Sequence, residues 1–478
     1  MGTNNAEFDL IVVGTGTAAT TTALECSSAG WRVAIIDSLP FGGTCALRGC
    51  DPKKVLVEAA KIVDSAQKHE NRGILGSDRI HIKWSDLINF KRTFTEPFPK
   101  NREESYKDAG IIPFHGHARF IGSNAVKVQQ KGTSNNQDGN IVLYGKKILV
   151  ATGAQPMELD IPGSENVITS DKFLEFAEDH LPERIVFVGG GYISFEFAHI
   201  AARAGAKVTI LHRGNQPLEQ FDPDLVNLLV QGSRNIGIDI HLQSVVEKID
   251  ASSDGSFTVQ FSNPSTKSDS NSNQTKANRI ESDMVVHGAG RLPDINQLDL
   301  TVAGVEHTRR GIKVNDFLQS ISNPSVYAAG DVADSGGLPL TPVASYEGAL
   351  VATNLIKGNT AKSNYIGLPS VVFTIPPLAS VGLQEKDAKK SGLRFRTKYE
   401  NTEAWASSRR VGETCAGFKV LIQEGSNRIL GAHILGPHAD ETINIFSMAI
   451  RLGLTANTLR DPLLYTYPTN CSDIVYMV

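Results

Sequence analysis

Two segments of the chain share the order strand, glycine-rich turn, helix and strand, and this repeat constrains the fold more than any other feature. In the first segment, an apolar run at residues 10–13 precedes a glycine-rich turn at residues 14–19. In the second, an apolar run at residues 185–188 precedes a turn that opens with three glycines. Continuous apolar runs are typical of strands that are buried on both faces of a parallel sheet. The sequence therefore predicts two α/β folds, each with a glycine turn between a strand and a helix.

The first turn matches the pattern GxGxxA through Gly14, Gly16 and Ala19, and Asp37 ends the next predicted strand. Glycines at these positions let the backbone approach a pyrophosphate at a helix N-terminus. A carboxylate at the end of the second strand can accept a hydrogen bond from a ribose hydroxyl. The spacing predicts a dinucleotide site, and a plain packing turn is the alternative.

The second turn contains Gly189 and Gly191, and its second strand ends in His212 and Arg213. No acidic residue stands at the ribose position, and an arginine there suits a 2′-phosphate. This favours NADPH, with NADH as the alternative because Glu219, rather than a further basic residue, follows. The alternative is that this turn binds no ligand and that its basic residues are solvated.

Residues 41–54 read FGGTCALRGCDPKK, in which Cys45 and Cys50 are separated by four residues. Near a helix start, this spacing predicts a pair one helical turn apart that can close a small disulfide. The helix dipole and Lys54 would lower the pKa of a thiolate there. Asp51 would raise that pKa by charge repulsion, and the alternative is that Asp51 is a solvated residue of the helix turn. Metal binding is the rival interpretation, but no second Cys or His pair stands nearby, so we predict no resident metal.

The composition excludes several classes of protein. The 478 residues include 47 Lys and Arg against 51 Asp and Glu, a net charge of −4, which argues against nucleic-acid or anionic-membrane partners. Five cysteines do not make a secreted disulfide scaffold. Residues 1–7 are polar and the run at 10–13 is too short for a signal or a membrane span, so we expect a cytoplasmic protein. Two polar segments, 132–140 and 263–278, are predicted to be surface insertions.

Four further segments complete a pattern along the chain: VATG at 150–153, GAGRLPD at 288–294, VYAAGD at 326–331, and VVFT with two prolines at 371–377. With the cysteine pair and both glycine turns, the sequence resembles the FAD-dependent pyridine nucleotide–disulfide oxidoreductases, which include glutathione reductase, dihydrolipoamide dehydrogenase and mercuric reductase. The similarity extends from Asp9 to Met477.

The resemblance implies an α/β fold with two Rossmann-like dinucleotide-binding domains and a C-terminal α+β dimerisation domain. The FAD domain would comprise residues 1–155 and 285–360, the NAD(P) domain 156–284, and the interface domain 361–478. The implied cofactors are FAD and NADPH, with NADH as the alternative, and the implied assembly is a homodimer. The cofactor-binding residues would be Gly14, Gly16, Ala19, Asp37, Gly43, Thr44, Thr152, Gly153, Gly189, Gly191, Tyr192, Arg213, Gly290, Arg291, Gly330 and Asp331.

The resemblance also implies catalytic roles. Cys45 would be the interchange thiol that attacks the substrate, and Cys50 the charge-transfer thiol beside the flavin. Lys54 and Glu196 would form an ion pair near the flavin, and Tyr192 would be the gate over the nicotinamide pocket.

The sequence departs from the family pattern near its C-terminus. Tyr467 stands where disulfide-reducing members carry the catalytic His, and Ser472 stands where they carry a Glu; mercuric reductases similarly carry Tyr. A Tyr with a pKa near about 10 is a poor proton shuttle at neutral pH. Cys471, close to this position, is either a third reactive thiol or a buried small residue.

Three functions follow from this reading. The first is an oxidoreductase that passes electrons through Cys45 and Cys50 to a thiol-reactive acceptor, namely a metal ion, a quinone or a reactive disulfide. The second is a low-molecular-weight disulfide reductase in which Tyr467 or water replaces the His. The third is a flavin-bearing sensor without fast turnover.

Overall fold

The computed structural model describes residues 6–130, 139–263 and 278–478. The predicted insertions at 132–140 and 263–278 lie, except at their ends, outside the described residues. The strands are β1 (Ala6–Val13), β2 (Val33–Asp37), β3 (Ile112–His115), β4 (His117–Gly122), β5 (Ala125–Gln129), β6 (Asn140–Val150), β7 (Ala154–Pro156), β8 (Arg184–Val188), β9 (Lys207–Leu211), β10 (Asp239–His241), β11 (Val245–Ala251), β12 (Phe257–Ser262), β13 (Asn278–Ser282), β14 (Met284–His287), β15 (Arg291–Pro293), β16 (His307–Thr308), β17 (Gly311–Lys313), β18 (Val326–Ala328), β19 (Ala333–Asp334), β20 (Pro369–Val372), β21 (Leu378–Gly382), β22 (Phe395–Asn401), β23 (Gly417–Gln423) and β24 (Ile429–Leu435). The helices are α1 (Thr17–Ser28), α2 (Gly43–Arg48), α3 (Cys50–Lys68), α4 (Trp84–Thr95), α5 (Phe98–Asp108), α6 (Ser170–Glu175), α7 (Tyr192–Arg203), α8 (Pro223–Asn235), α9 (Thr341–Lys357), α10 (Glu385–Lys390), α11 (Ala406–Arg409), α12 (Ala439–Leu452), α13 (Ala456–Leu459) and α14 (Ile474–Met477).

The chain divides into two compact units, of which the first comprises the residues up to 53, 90–157 and 291–364. Its main sheet has the order β3-β2-β1-β6-β5-β4, and β18 also pairs with β6. Strand β1 runs parallel to both β2 and β6, and β18 runs parallel to β6. The carboxyl ends of these four strands therefore meet at one edge of the sheet, which is where open α/β sheets bind ligands.

The second unit comprises residues 54–89, 158–290 and 365–478. It contains a parallel sheet of order β10-β9-β8-β14 and an antiparallel sheet β11-β12-β13. A third sheet is antiparallel, with the order β20-β21-β24-β23-β22, and helix α12 packs against β21 and β24. The second glycine turn follows β8, one of the two inner strands of the parallel sheet.

The predicted fold class is confirmed, because both glycine turns lie between a parallel strand and a helix and the C-terminal segment is α+β. The apolar runs form the buried strands: residues 10–12 of β1 and residue 187 of β8 have no exposed surface. The predicted domain boundaries stay a prediction. Among the described residues, no helix combines the length and the apolar character needed to cross a bilayer.

A buried ion pair ties β23 to the start of α8 inside the second unit. The Nζ of Lys419 lies 2.9 Å from Oδ2 of Asp222, and the two side chains are 3% and 0% exposed. Asp222 also caps helix α8 by accepting a hydrogen bond from the backbone N–H of Asp224, and the Asp224 carboxylate pairs with Lys419 as well. Removing one partner of such a pair leaves an uncompensated buried charge.

We therefore expect Lys419→Met to lower the free energy of unfolding by about 3 kcal/mol, measured by urea denaturation. The matched control is Lys362→Met, since Lys362 pairs with Asp316 while both side chains are about two-thirds exposed. That exposed pair should contribute less than about 1 kcal/mol. Equal losses in the two variants would show that Lys419 does not balance the charge of Asp222.

Candidate functional site

The first glycine turn is held so close to the neighbouring loop that it admits no side chain at Gly14. Gly14 has φ 107°, and a Cβ atom there would lie 2.3 Å from the carbonyl oxygen of Ala151. Gly16, by contrast, faces open space, with no atom within 4 Å of the position of its Cβ. Helix α1 follows with no side chain capping its N-terminus and no acidic residue in its first turn. Its free N–H groups are thus available to an anionic phosphate.

Asp37 lies at the carboxyl end of β2, where both of its carboxylate oxygens are fixed. Oδ2 accepts a hydrogen bond from the hydroxyl of Thr15 at 2.6 Å, and Oδ1 accepts one from the N–H of Leu39 at 2.9 Å. Each oxygen keeps a lone pair, so an oriented acceptor is left for a ribose hydroxyl. Ala19 is fully buried beneath the same turn.

Two loops from later in the chain reach the same sheet edge in the first unit. The hydroxyl of Thr152 donates a hydrogen bond to the carbonyl oxygen of Asp294 at 2.6 Å, and Arg291 donates to the carbonyl oxygen of Ala154. Burial raises the pKa of the Asp331 carboxyl, while the charge of Arg291 lowers it. The structure thus brings the predicted residues 152, 291 and 331 into one neighbourhood.

Gly153, Gly290 and Gly330 all have positive φ, at 72°, 118° and 75°. Backbone angles in this range favour glycine. These three predicted positions therefore lie in tight turns.

The second glycine turn repeats this construction in the second unit. A Cβ atom on Gly189, which has φ 111°, would lie 2.3 Å from the carbonyl oxygen of Gly288. Helix α7 then begins at Tyr192, again without a capping side chain, and the Tyr192 side chain is 46% exposed. Arg213 is exposed at the end of β9.

The cysteine pair does not lie on one continuous helix. Helix α2 ends at Arg48, and Gly49, with φ −146° and ψ −110°, separates it from α3, which begins at Cys50. The predicted spacing of one helical turn is therefore wrong. Both sulfurs are thiols in this structure, and a hydrogen bond nevertheless joins their side chains across the break. Gly43 at the start of α2 packs against the first glycine turn, since its Cβ would lie 2.5 Å from Cα of Gly16.

The two thiols are strongly inequivalent. The hydrogen bond from Cys45, another from the Thr341 hydroxyl and the charge of Lys53 lower the pKa of Cys50 to about 6, although burial and Asp51 oppose them. The same hydrogen bond and burial raise the pKa of Cys45 well above its usual range. The Sγ of Cys50 lies 3.4 Å from Oγ1 of Thr341, the first residue of α9. At neutral pH the pair thus holds a thiolate at Cys50 and a proton at Cys45.

The ion pair between Lys54 and Glu196 stays a prediction. Lys54 pairs with Glu58, at 3.5 Å and one helical turn away, and its ammonium lies 4.1 Å from the centre of the Phe373 ring. Burial lowers the pKa of Lys54. Glu196 is buried, and its Oε1 accepts a hydrogen bond from the N–H of Phe373 at 2.9 Å.

Sequence reasoning missed two residues that act on Cys50. Lys53 rather than Lys54 supplies the positive charge that lowers the pKa of this thiol, and Thr341 supplies a hydroxyl. The position of Lys53, three residues into α3 from Cys50, is a local signal that could have identified it. Thr341 is 291 residues from Cys50 and carried no such signal.

The remaining cysteines fall into two groups. Cys26 and Cys415 are buried, and burial raises the pKa of each thiol to about 12, as expected for structural residues. Cys471 is half-buried, with its sulfur 3.9 Å from the hydroxyl of Thr442. Tyr467 is 83% exposed in the single chain.

Comparison with known families settles the family of the chain. The pyridine nucleotide-disulphide oxidoreductase family matches residues 8–348, and the dimerisation domain of the same family matches residues 368–477. The chain belongs to the pyridine nucleotide-disulphide oxidoreductases. Enzymes of this family are FAD-dependent and use pyridine nucleotides.

Relatives of this oxidoreductase carry several names. A glutathione reductase of Burkholderia cepacia is 32% identical over 98% of both chains. A mercuric reductase of Bacillus cereus is 30% identical over 96% of this chain and 69% of its own length. Among solved structures, the Cu(II) complex of the HOCl-induced flavoprotein disulfide reductase RclA from Escherichia coli is 28% identical, with a TM-score of 0.83 over 98% of both chains.

The residues of this oxidoreductase fit the FAD of its family. The uncapped start of α1, the oriented Asp37 carboxylate and the half-buried Asp331 all lie in the unit that contains Cys45 and Cys50. The open space beside Gly16 leaves room for a ligand at that helix start.

The inequivalence of the thiols predicts the pH dependence of alkylation. In the reduced protein, iodoacetamide should modify Cys50 with a pH midpoint near 6. The midpoint of an unperturbed cysteine is about 8.5. Thr341→Val removes one hydrogen bond to the thiolate and should raise the midpoint by about one pH unit. Mass spectrometry of the Cys50 peptide measures both values.

Thr353→Val, a substitution near the other end of α9, is the matched control and should leave the midpoint unchanged. A wild-type midpoint close to that of a free cysteine would contradict the assignment of the thiolate to Cys50.

Proposed function

We propose that this protein is an NADPH-dependent FAD oxidoreductase that passes electrons through Cys45 and Cys50 to a thiophilic metal ion. The observation that carries the proposal is the thiol pair itself, which shares one proton between a thiolate and a thiol. FAD, when bound, supplies two-electron transfer between a pyridine nucleotide and the disulfide form of this pair. The residues proposed to hold its nucleotide and ribityl parts are those around Gly14, Asp37, Gly43 and Asp331.

The thiol pair holds one proton, which its first step must release. Cys45, proposed as the interchange thiol, must lose this proton before its sulfur becomes an effective nucleophile or metal ligand. The thiolate of Cys50 does not take the proton, because Cys50 is the stronger acid and its hydrogen bond keeps the proton on Cys45. A thiophilic metal ion that binds the Cys45 sulfur displaces the proton to solvent, and this displacement needs no acid from Tyr467.

A metal acceptor also removes the need for an external acid. Oxidation of the pair closes the Cys45–Cys50 disulfide and releases two electrons and one proton; two Cu(II) ions then each gain one electron and become Cu(I). A disulfide substrate, by contrast, leaves as a thiolate that a general acid normally protonates. The similarity to a mercuric reductase and to the Cu(II) complex of RclA supports the metal acceptor.

The second candidate is a low-molecular-weight disulfide reductase, which the similarity to a glutathione reductase over 98% of both chains favours. Against it stands Tyr467, whose exposed phenol replaces the imidazole of such enzymes. A homodimer is proposed for either function, because the chain carries the dimerisation domain of the family.

An acceptor panel distinguishes the candidates. We expect NADPH oxidation to be stimulated by Cu(II) or Hg(II) more than by glutathione disulfide, lipoamide or quinones, with Cys45→Ser and Cys50→Ser each reducing the rate by about 100-fold. Tyr467→His should raise the ratio of disulfide turnover to metal turnover by about 10-fold, because it supplies an acid. Fast disulfide turnover by the wild type without metal-stimulated oxidation would refute the proposal.

The proposed preference for NADPH depends on the exposed Arg213 at the end of β9. Arg213→Ala should raise the KM for NADPH by about 10-fold, the value of one hydrogen bond to a charged phosphate, and leave the KM for NADH unchanged. Arg279→Ala, which removes an exposed arginine of β13, is the control. A parallel change in both KM values would argue against a 2′-phosphate contact.

A further inference from the structure

Thr15 lies between the two glycines of the first turn, and its hydroxyl links two other segments of the first unit. The side chain is 1% exposed. Its Oγ1 donates a hydrogen bond to Oδ2 of Asp37 at 2.6 Å and accepts one from the backbone N–H of Gly42 at 3.1 Å. One hydroxyl therefore joins the end of β2 to the residue that directly precedes α2, the helix that carries Cys45.

Both hydrogen bonds depend on this one oxygen. Gly42 is buried with φ 136°, and loss of its acceptor would leave a buried backbone N–H without the partner it has here. Loss of the hydroxyl would also leave the Asp37 carboxylate anchored only through its other oxygen, by the N–H of Leu39. The carboxylate could then turn about its Cβ–Cγ bond.

We propose that Thr15 is a positioning residue that couples the ribose end of the FAD site to the redox loop at residues 41–50. The inference rests on the proposed FAD site at Asp37. Since one hydroxyl holds both segments, FAD binding at Asp37 and ordering of the redox loop stabilise each other, as thermodynamic linkage requires.

The test compares Thr15→Val, which keeps the shape of the side chain and removes the hydroxyl, with Thr15→Ser, which keeps the hydroxyl. Thr15→Ala takes the place of Thr15→Val if valine prevents folding. The matched control is Thr21→Val on helix α1, which follows the turn, since among the described residues the Thr21 hydroxyl bonds only the carbonyl oxygen of Thr17, at 3.0 Å. FAD dissociation constants are measured by flavin fluorescence on apo-protein, alone and in an Asp37→Asn background.

We expect Thr15→Val to weaken FAD binding by about 10-fold, which is the scale of one charged hydrogen bond, while the serine and Thr21 variants stay within about 3-fold. In the Asp37→Asn background the loss should shrink to less than about 3-fold, because the two residues act together. Amide hydrogen exchange of residues 41–48 should accelerate in Thr15→Val and not in Thr15→Ser.

An equal loss of FAD affinity in both backgrounds, or unchanged exchange in the redox loop, would overturn the inference. Failure of the wild-type apo-protein to bind FAD would refute the proposed function instead, and the two failures are therefore distinguishable.

Discussion

The arrangement of the first unit depends on backbone contacts that only residues without a Cβ atom allow. A Cβ on Gly14 would lie 2.3 Å from the carbonyl oxygen of Ala151, and one on Gly43 would lie 2.5 Å from Cα of Gly16. Both distances are shorter than any real contact of a Cβ atom. A side chain at either position would separate β1 from its neighbouring loop or the redox helix from the glycine turn. The hydrogen bonds of Thr15 and the site of the cysteine pair follow from this close approach.

The low pKa of Cys50 results from several modest interactions, each of which stabilises its thiolate. Two hydrogen-bond donors and the charge of Lys53 favour its thiolate, and they outweigh both burial and the carboxylate of Asp51. The start of α3 at Cys50 adds the positive end of a helix dipole. The sequence prediction about Asp51 had the right sign, but the hydrogen bond from Cys45 on α2 has the largest effect on the pKa of Cys50, and Thr341 on α9 and Lys53 on α3 add to it.

The sequence predicted the fold class and both glycine turns because strand burial and glycine geometry are local properties. It did not predict which partners several side chains contact. Lys53 and Lys54 are adjacent in the sequence, and only the direction of α3 decides that Lys54 extends toward Glu58 and the ring of Phe373. The hydrogen bond from Phe373 to Glu196 spans 177 residues and likewise has no local pattern. Contacts of this kind require the packed structure.

Tyr467 and the thiol pair together limit the kinds of electron acceptor that this protein can reduce. A protein that lacks an imidazole at the leaving group is poorly suited to protonate a departing thiolate at neutral pH. It can still transfer electrons to an acceptor whose reduction consumes no proton, provided that the first proton has somewhere to go. In this protein that proton lies on Cys45, and a metal ion that binds the Cys45 sulfur would displace it to solvent. Loss of the family's usual acid thus argues for an electron acceptor such as a metal ion rather than against catalysis.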